Sequence, residues 1–215
     1  MQRIILATLI ALVAFVSLPI ATEAATRRDS DRYSYREYGR LSSSLRKKIA
    51  ELDDDPVKHL PIPVALVVRL QDLQKNFGDA RDGGDRTHEG LDIMAPHGSY
   101  IASPTDAVVT RTGKGESAGT YVYTTGPGGE SFRYMHLDRI ADGIKSGTEL
   151  KAGDLIGYVG DTGNAKGGAP HLHLEVREGR EATDPYPRLT RTLNTTELLR
   201  TLTDVLTELK KDAKD

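Results

Sequence analysis

Two short segments hold most of the side chains capable of chemistry. They are His88-Glu89-Gly90-Leu91-Asp92-Ile93 and His171-Leu172-His173-Leu174-Glu175-Val176. Side chains alternate between the two faces of an extended strand. In the first segment this puts His88 and Asp92 on one face and Glu89, Leu91 and Ile93 on the other. In the second, His171, His173 and Glu175 share a face opposite Leu172, Leu174 and Val176. Each segment therefore joins an apolar side to a side bearing groups that ligate metals. The spacing rejects the helical H-E-x-x-H pattern: Asp92 stands where the second His would be, glycine interrupts the segment and Glu89 points away. A third segment, Phe132-Arg133-Tyr134-Met135-His136-Leu137, carries His136 on one face with Phe132 and Tyr134. The chain has no Cys, which excludes disulfides, thiolate nucleophiles and iron–sulfur clusters and leaves His and carboxylates to hold any metal. Zinc accepts both donors, and structural zinc sites are usually closed four-ligand sets rich in Cys. Three ligands with spare histidines nearby fit a catalytic site that keeps a position for water. Spacing leaves open which three groups would bind.

Short apolar runs alternating with glycine-rich turns would position these residues: Ala107 to Arg111, Thr120 to Thr125, Ser131 to Leu137, Leu155 to Gly160 and Leu172 to Arg177. Gly126-Pro127-Gly128-Gly129 reads as a hairpin loop between two of them. The expected fold is mainly β, an antiparallel sheet, sandwich or barrel over residues 64–186. Leu66 to Leu73 suits a strand or a short helix. Residues 25–63 form a polar linker in which Leu41, Leu45, Ile49 and Leu52 predict a short amphipathic helix. Residues 187–215 hold a C-terminal amphipathic helix, with Leu198, Leu202, Val205 and Leu209 as its apolar stripe, widened by Leu199 and Leu206. Asn194 and Glu197 have the spacing of a capping box. This helix is expected to pack on the β domain.

Residues 1–24 have a secretory layout: Arg3, an apolar run from Ile4, Pro19, then Thr22-Glu23-Ala24 before the cut. The run falls short of the ~20 apolar residues a bilayer span needs, so a cleaved signal is expected over an uncleaved tether, and with the signal cut the chain is not an integral membrane protein. The expected location is the periplasm, the cell wall or the medium. The net charge of −2 gives no basic field for nucleic acid.

Together the motifs resemble the lysostaphin/LytM-type zinc metallopeptidases. The residues that carry the likeness are His88-x-x-x-Asp92, Tyr134-Met135-His136-Leu137, Gly160-Asp161-Thr162-Gly163-Asn164 and Pro170-His171-Leu172-His173-Leu174-Glu175. Asn76-Phe77-Gly78, Ala95-Pro96-His97-Gly98 and the glycines from Gly147 to Gly157 match the family's frame. The resemblance runs from about Val64 to Arg177. It implies a compact antiparallel β domain of the duplicated hybrid motif kind, with a groove over a sheet floor. It implies Zn2+ held by His88, Asp92 and His173, with His136 and His171 as the catalytic pair, one taking a proton from water and the other stabilising the oxyanion or protonating the leaving amine. The implied substrate is a peptide cross-link or bridge of bacterial peptidoglycan.

The sequence departs from the family's pattern in a slightly long loop, Gly163 to Pro170, and in Leu174 where an aromatic is usual. Neither removes a ligand or catalytic group. Glu175 suits either support of a ligand or a solvated charge, and His59 and His97 match no ligand position. The alternative function is a non-catalytic module that binds the wall or activates another hydrolase while retaining the zinc site. A further reading has Asn76 or a linker residue occluding the metal before processing.

Overall fold

The structure is a computed structural model that describes residues 41–213, the Asp82 side chain excepted. The leader expected at 1–24 and positions 25–40 of the polar segment lie outside the described residues.

The first element is helix α1, Ser43–Ile49. The Ser42 hydroxyl caps it by accepting the Leu45 N–H, and Lys48 ties it to the body through the Gly147 carbonyl at 2.7 Å and Glu149 at 2.6 Å. None of its residues is buried, so the helix rests on the domain rather than forming part of its core. The strands follow: β1 Leu60–Pro61, β2 Ala80–Arg81, β3 Arg86–Thr87, β4 Leu91–Met94, β5 Tyr100–Ala102, β6 Ala107–Gly115, β7 Gly119–Thr125, β8 Ser131–Ile140, β9 Glu149–Leu150, β10 Leu155–Val159, β11 His171–Glu178, β12 Glu181–Thr183 and β13 Leu189–Arg191. Helix α2, Thr195–Asp212, closes the chain.

Nine strands make one antiparallel sheet in the order β12-β11-β8-β7-β6-β9, with β4 on β11 and β10 joining β8 to β5. The mainly β expectation therefore holds. Alternation in β11 is as the sequence predicts: Leu172, Leu174 and Val176 are fully buried, while His171 and His173 are half-buried on the other face. The loop at Gly126–Gly129 joins β7 to β8 as a hairpin, closed by the Gly126 N–H on the Glu130 carbonyl at 2.9 Å.

Three details differ from the sequence reading. Leu66 to Leu73 is neither strand nor continuous helix. Leu66 sits at φ +72°, and only Leu70–Asp72 makes one 3-10 turn, held by Arg69 and Asp72. Strands β1 and β13 pair in parallel and lie outside the expected bounds of 64–186, because strands this short show no alternation. Finally, α2 has the expected capping box of Asn194 and Glu197 and packs on the β domain with Val205 of the expected stripe buried and Leu198 and Leu202 half-buried, but much of its docking face is polar. Thr201 donates to the Gly153 carbonyl, the Leu155 N–H donates to Asp204, and Tyr158 donates to Glu208. Val205 packs with Ala141, Leu155 and Tyr158. The β9–β10 region offers main-chain polar groups, so polar residues of the helix meet it. Leu199, Leu206 and Leu209 stay exposed.

Candidate metal centre and active site

Strand β11 lies between β4 and β8, with His173 opposite Asp92 on one side and Met135 on the other. That register brings Asp92 and His173 to the same edge of one cavity of about 610 Å3. Its lining includes all five residues the sequence singled out: His88, Asp92, His136, His171 and His173.

Two of them arrive by routes that strand alternation did not foresee. His88 precedes β4 rather than lying in it. It is held by main-chain bonds, its N–H on the Asp79 carbonyl and its own carbonyl under the Gly78 N–H. His136 does not share a face with Phe132 and Tyr134, both fully buried in the core. Between Leu137 and Tyr134 the register of β8 against β7 slips, and His136 takes φ +62°. A bulge of this kind adds one residue and turns the strand, which swings His136 from the core side to the cavity. Its N–H bonds the Ala118 carbonyl at 2.9 Å. A left-handed backbone at a non-glycine residue is strained and must be held by its surroundings.

The outer contacts of the rings supply acceptors for the tautomer in which the inner nitrogens would bind a metal. His88 Nδ1 lies 2.6 Å from the Asn76 carbonyl, which can only accept, so the proton sits on Nδ1 and Nε2 keeps its lone pair. His173 Nε2 lies 3.4 Å from Glu175 Oε1, which leaves Nδ1 for the cavity. His88 Nε2, His173 Nδ1 and Asp92 Oδ1 then face one another at 2.8 to 3.0 Å. Three acceptors this close repel unless a cation or a proton stands among them. Burial pushes the His173 pKa down, but hydrogen bonds to Asp92 and Glu175 outweigh it and raise it. Burial also pushes the Asp92 carboxyl up, yet the contacts with His173 and His88 hold it far below the ordinary range. A dication satisfies all three acceptors where a proton satisfies two at most. Zinc takes such donors at about 2.0–2.2 Å, which these spacings allow.

His136 and His171 complete the cavity, with ring centroids 5.1 Å apart. His136 Nδ1 donates to the Thr162 carbonyl and His171 Nδ1 to the Ala169 carbonyl, each at 2.9 Å. Both rings therefore keep Nε2 as an acceptor. His171 Nε2 stands 3.8 Å from Asp92 Oδ1. Burial, together with the neighbouring His171, pushes the His136 pKa down to about 4, so the ring is neutral at physiological pH.

The supporting residues were less visible in the sequence. Asn76 stands behind the three converging groups: its carbonyl meets His88 and its side-chain Oδ1 accepts the Asp92 N–H at 3.1 Å. Arg81 donates to Asp92 Oδ2 at 2.7 Å, and no pattern pointed to it. Glu175 is buried rather than solvated, paired with Arg177 at 2.9 Å and Arg133 at 3.3 Å. Gly90 has a visible signal, a glycine inside H-x-x-x-D. A Cβ there would come within 2.6 Å of His173 Nε2. His59 and His97 lie outside the cavity.

The profile of Peptidase family M23 matches residues 86–185. Over 126 residues the chain is 34% identical to an L-Ala–D-Glu endopeptidase of Bacillus subtilis, covering 54% of this chain and 39% of that protein. Over 107 residues it is 37% identical to the peptidoglycan DD-endopeptidase ShyC of Vibrio cholerae, covering 48% of this chain and 24% of that protein. The chain thus spans well under half of these relatives. A crystal structure assigned as a glycyl-glycine endopeptidase, LytM, of Ruminococcus gnavus is 35% identical with a TM-score of 0.51, covering 72% of this chain and 68% of that one.

Proposed function

This chain belongs to peptidase family M23, and from that membership and the cavity's geometry we propose that it is an exported zinc metalloendopeptidase that hydrolyses peptide bonds of bacterial peptidoglycan. The observation that carries the reading is the convergence of His88 Nε2, Asp92 Oδ1 and His173 Nδ1 beside two further imidazoles whose Nε2 atoms are acceptors. The three converging atoms would hold the zinc. When bound, zinc polarises a peptide carbonyl and lowers the pKa of water.

The residues of the chain do the rest. Asn76 and Glu175 fix the outer nitrogens of the two ligand rings and so their orientation. Arg81 occupies Asp92 Oδ2 and leaves Oδ1 to the metal. His136 and His171 present Nε2 to the reacting water. One takes a proton as the water oxygen attacks the scissile carbonyl carbon, and the resulting imidazolium returns it to the amine nitrogen as the C–N bond breaks. Two imidazoles side by side suit this exchange, since a proton on one ring discourages a second on the other.

Export rests on the leader layout at 1–24. No helix among the described residues, which exclude this leader, is long and apolar enough to cross a membrane. The test is digestion of purified peptidoglycan with and without a zinc chelator, the soluble products read by mass spectrometry. Chelator-sensitive peptide fragments are expected, and their masses name the bond. An intact wall, with zinc measured in the protein, would favour the binding module instead.

A further inference from the structure

The loop that follows β10 anchors both imidazoles that face the proposed water. The Gly160 carbonyl accepts the His171 N–H at 3.2 Å, and the Thr162 carbonyl accepts from His136 Nδ1 at 2.9 Å. The sheet alone holds β10 loosely. Its register shifts against β5 between Leu155 and Gly157, and against β8 between Gly157 and Val159. Such shifts interrupt a ladder, and here they do so on both sides of one strand. Helix α2 pins the strand from outside the sheet. Thr201 donates to the Gly153 carbonyl at 2.6 Å, the Leu155 N–H donates to Asp204 at 2.9 Å, and the Tyr158 hydroxyl donates to Glu208 Oε2 at 2.5 Å. Thr201, Asp204 and Glu208 follow one another at helical spacing and so share a face. Glu208 reaches a second strand as well, since its Oε1 accepts the Asp142 N–H at 2.6 Å, just past the end of β8. One carboxylate thus staples β10 to the strand that bears His136. The Arg139 guanidinium lies 3.4 Å from the centroid of the Tyr158 ring, and Lys211 pairs with the Asp142 carboxylate, closing the joint from both sides. Helix α2 lies beyond residues 86–185, the span of the family match.

We propose that α2 is a positioning element of the active site and that Glu208 is its positioning residue, holding β8 and β10 at the offset in which His136 and His171 meet across the cavity. The proposal rests on the peptidase reading for what the two imidazoles do, and on the joint just described for how they are held. A reacting group misplaced by about 1 Å can cost about a hundredfold in rate, so a staple remote from the chemistry can govern turnover. The three groups proposed to hold the metal hang on other supports. Asp92 lies on β4, His173 on β11, and His88 is fixed by Asn76. Loosening α2 should therefore disturb the imidazole pair and spare the ligand set.

The experiment compares the wild type with Glu208→Ala and Tyr158→Phe in the full chain, on a soluble muropeptide that the wild type cleaves. In Glu208→Ala, kcat should fall about tenfold while KM stays within about twofold and zinc content matches the wild type. Tyr158→Phe loses one hydroxyl and keeps its ring, and kcat should fall about threefold, as expected for a single hydrogen bond. Amide hydrogen exchange on the metal-free proteins reads the positioning without substrate. In Glu208→Ala the Thr162 and His171 amides should exchange about tenfold faster, and those of Leu174 and Val176 at the wild-type rate. Wild-type kcat in folded Glu208→Ala would overturn the proposal and leave the peptidase reading standing. Exchange raised equally at all four amides would overturn it too, because that is a general loss of stability. If Glu208→Ala does not fold, Tyr158→Phe decides by the same two readings, and wild-type kcat there refutes the staple. If the zinc-loaded wild type cleaves no muropeptide, the peptidase reading fails. The exchange pattern then judges the joint alone: local acceleration at Thr162 and His171 supports it, and its absence refutes it.

Discussion

At the scale of single residues, the site is built by what lies behind each ring. His136 is neutral because burial and the neighbouring His171 push its pKa down to about 4. An unfolded chain takes up that proton near the ordinary imidazole value of 6.5, while the folded chain waits until about 4. More protons bind the unfolded state between those values, so the metal-free protein should lose stability as pH falls from about 6.5 towards 4. Replacing His136 with Asn should flatten that fall, as read from denaturant midpoints across the range. Glu175 acts through His173. Its carboxylate is held ionised against burial by His173, Arg177 and Arg133, and it accepts from the outer nitrogen of a proposed ligand. Glu175→Gln keeps the shape and loses the charge. Zinc affinity should drop about 10-fold or more, measured by competition with a chromophoric chelator. Unchanged affinity would mean that Glu175 serves packing alone.

At the scale of elements, the sequence displayed what repeats and concealed what departs from repetition. The clean alternation of β11 placed His171, His173 and Glu175 on one face and the three apolar residues on the other, as observed. Glycine-rich turns marked the hairpins, and Asn194 with Glu197 marked the start of α2. Alternation puts His136 on the wrong face because a one-residue bulge reverses the sense of every side chain beyond it, and nothing in Tyr134-Met135-His136-Leu137 announces a bulge. In α2, Val205 of the apolar stripe is buried as expected, whereas the contacts of Thr201, Asp204 and Glu208 are set by main-chain groups and by Tyr158, which an apolar stripe cannot foresee. Arg81 was invisible because its partner is set by the β2–β3 hairpin reaching back to Asp92. The bulge itself depends on the loop after β10. Thr162 accepts the Thr120 N–H, donates to the Leu137 carbonyl and offers its own carbonyl to His136. Gly163 follows at φ +72°, where a Cβ would stand 2.2 Å from the Gly119 nitrogen. Gly163→Ala should therefore cost about 1–3 kcal/mol by strain and overpacking. It should lower kcat more than zinc affinity, because it displaces His136 and not the three proposed ligands. Calorimetric Tm together with turnover on peptidoglycan would check both parts.

At the scale of the whole molecule, a single antiparallel sheet carries the site on its central strands, and the short flanking pieces stiffen it. Strands β1 and β13 tie the two ends of the domain together, and α2 braces β10 through Leu155 and Tyr158. The proposed ligands come from β11, from β4 and from the turn before β4, so the metal would also cross-link the sheet. A ligand that binds only the folded state stabilises it by about 2.7 kcal/mol at a hundredfold excess over Kd. The central claim is the division of labour between three ligand residues and two catalytic ones. The measurement that tests it most directly is the zinc content of purified wild type, His173→Ala and His136→Ala, by plasma mass spectrometry after gel filtration. The expected result is one zinc per chain in the wild type and in His136→Ala, and almost none in His173→Ala. Loss of zinc from His136→Ala, or full retention in His173→Ala, would contradict the account.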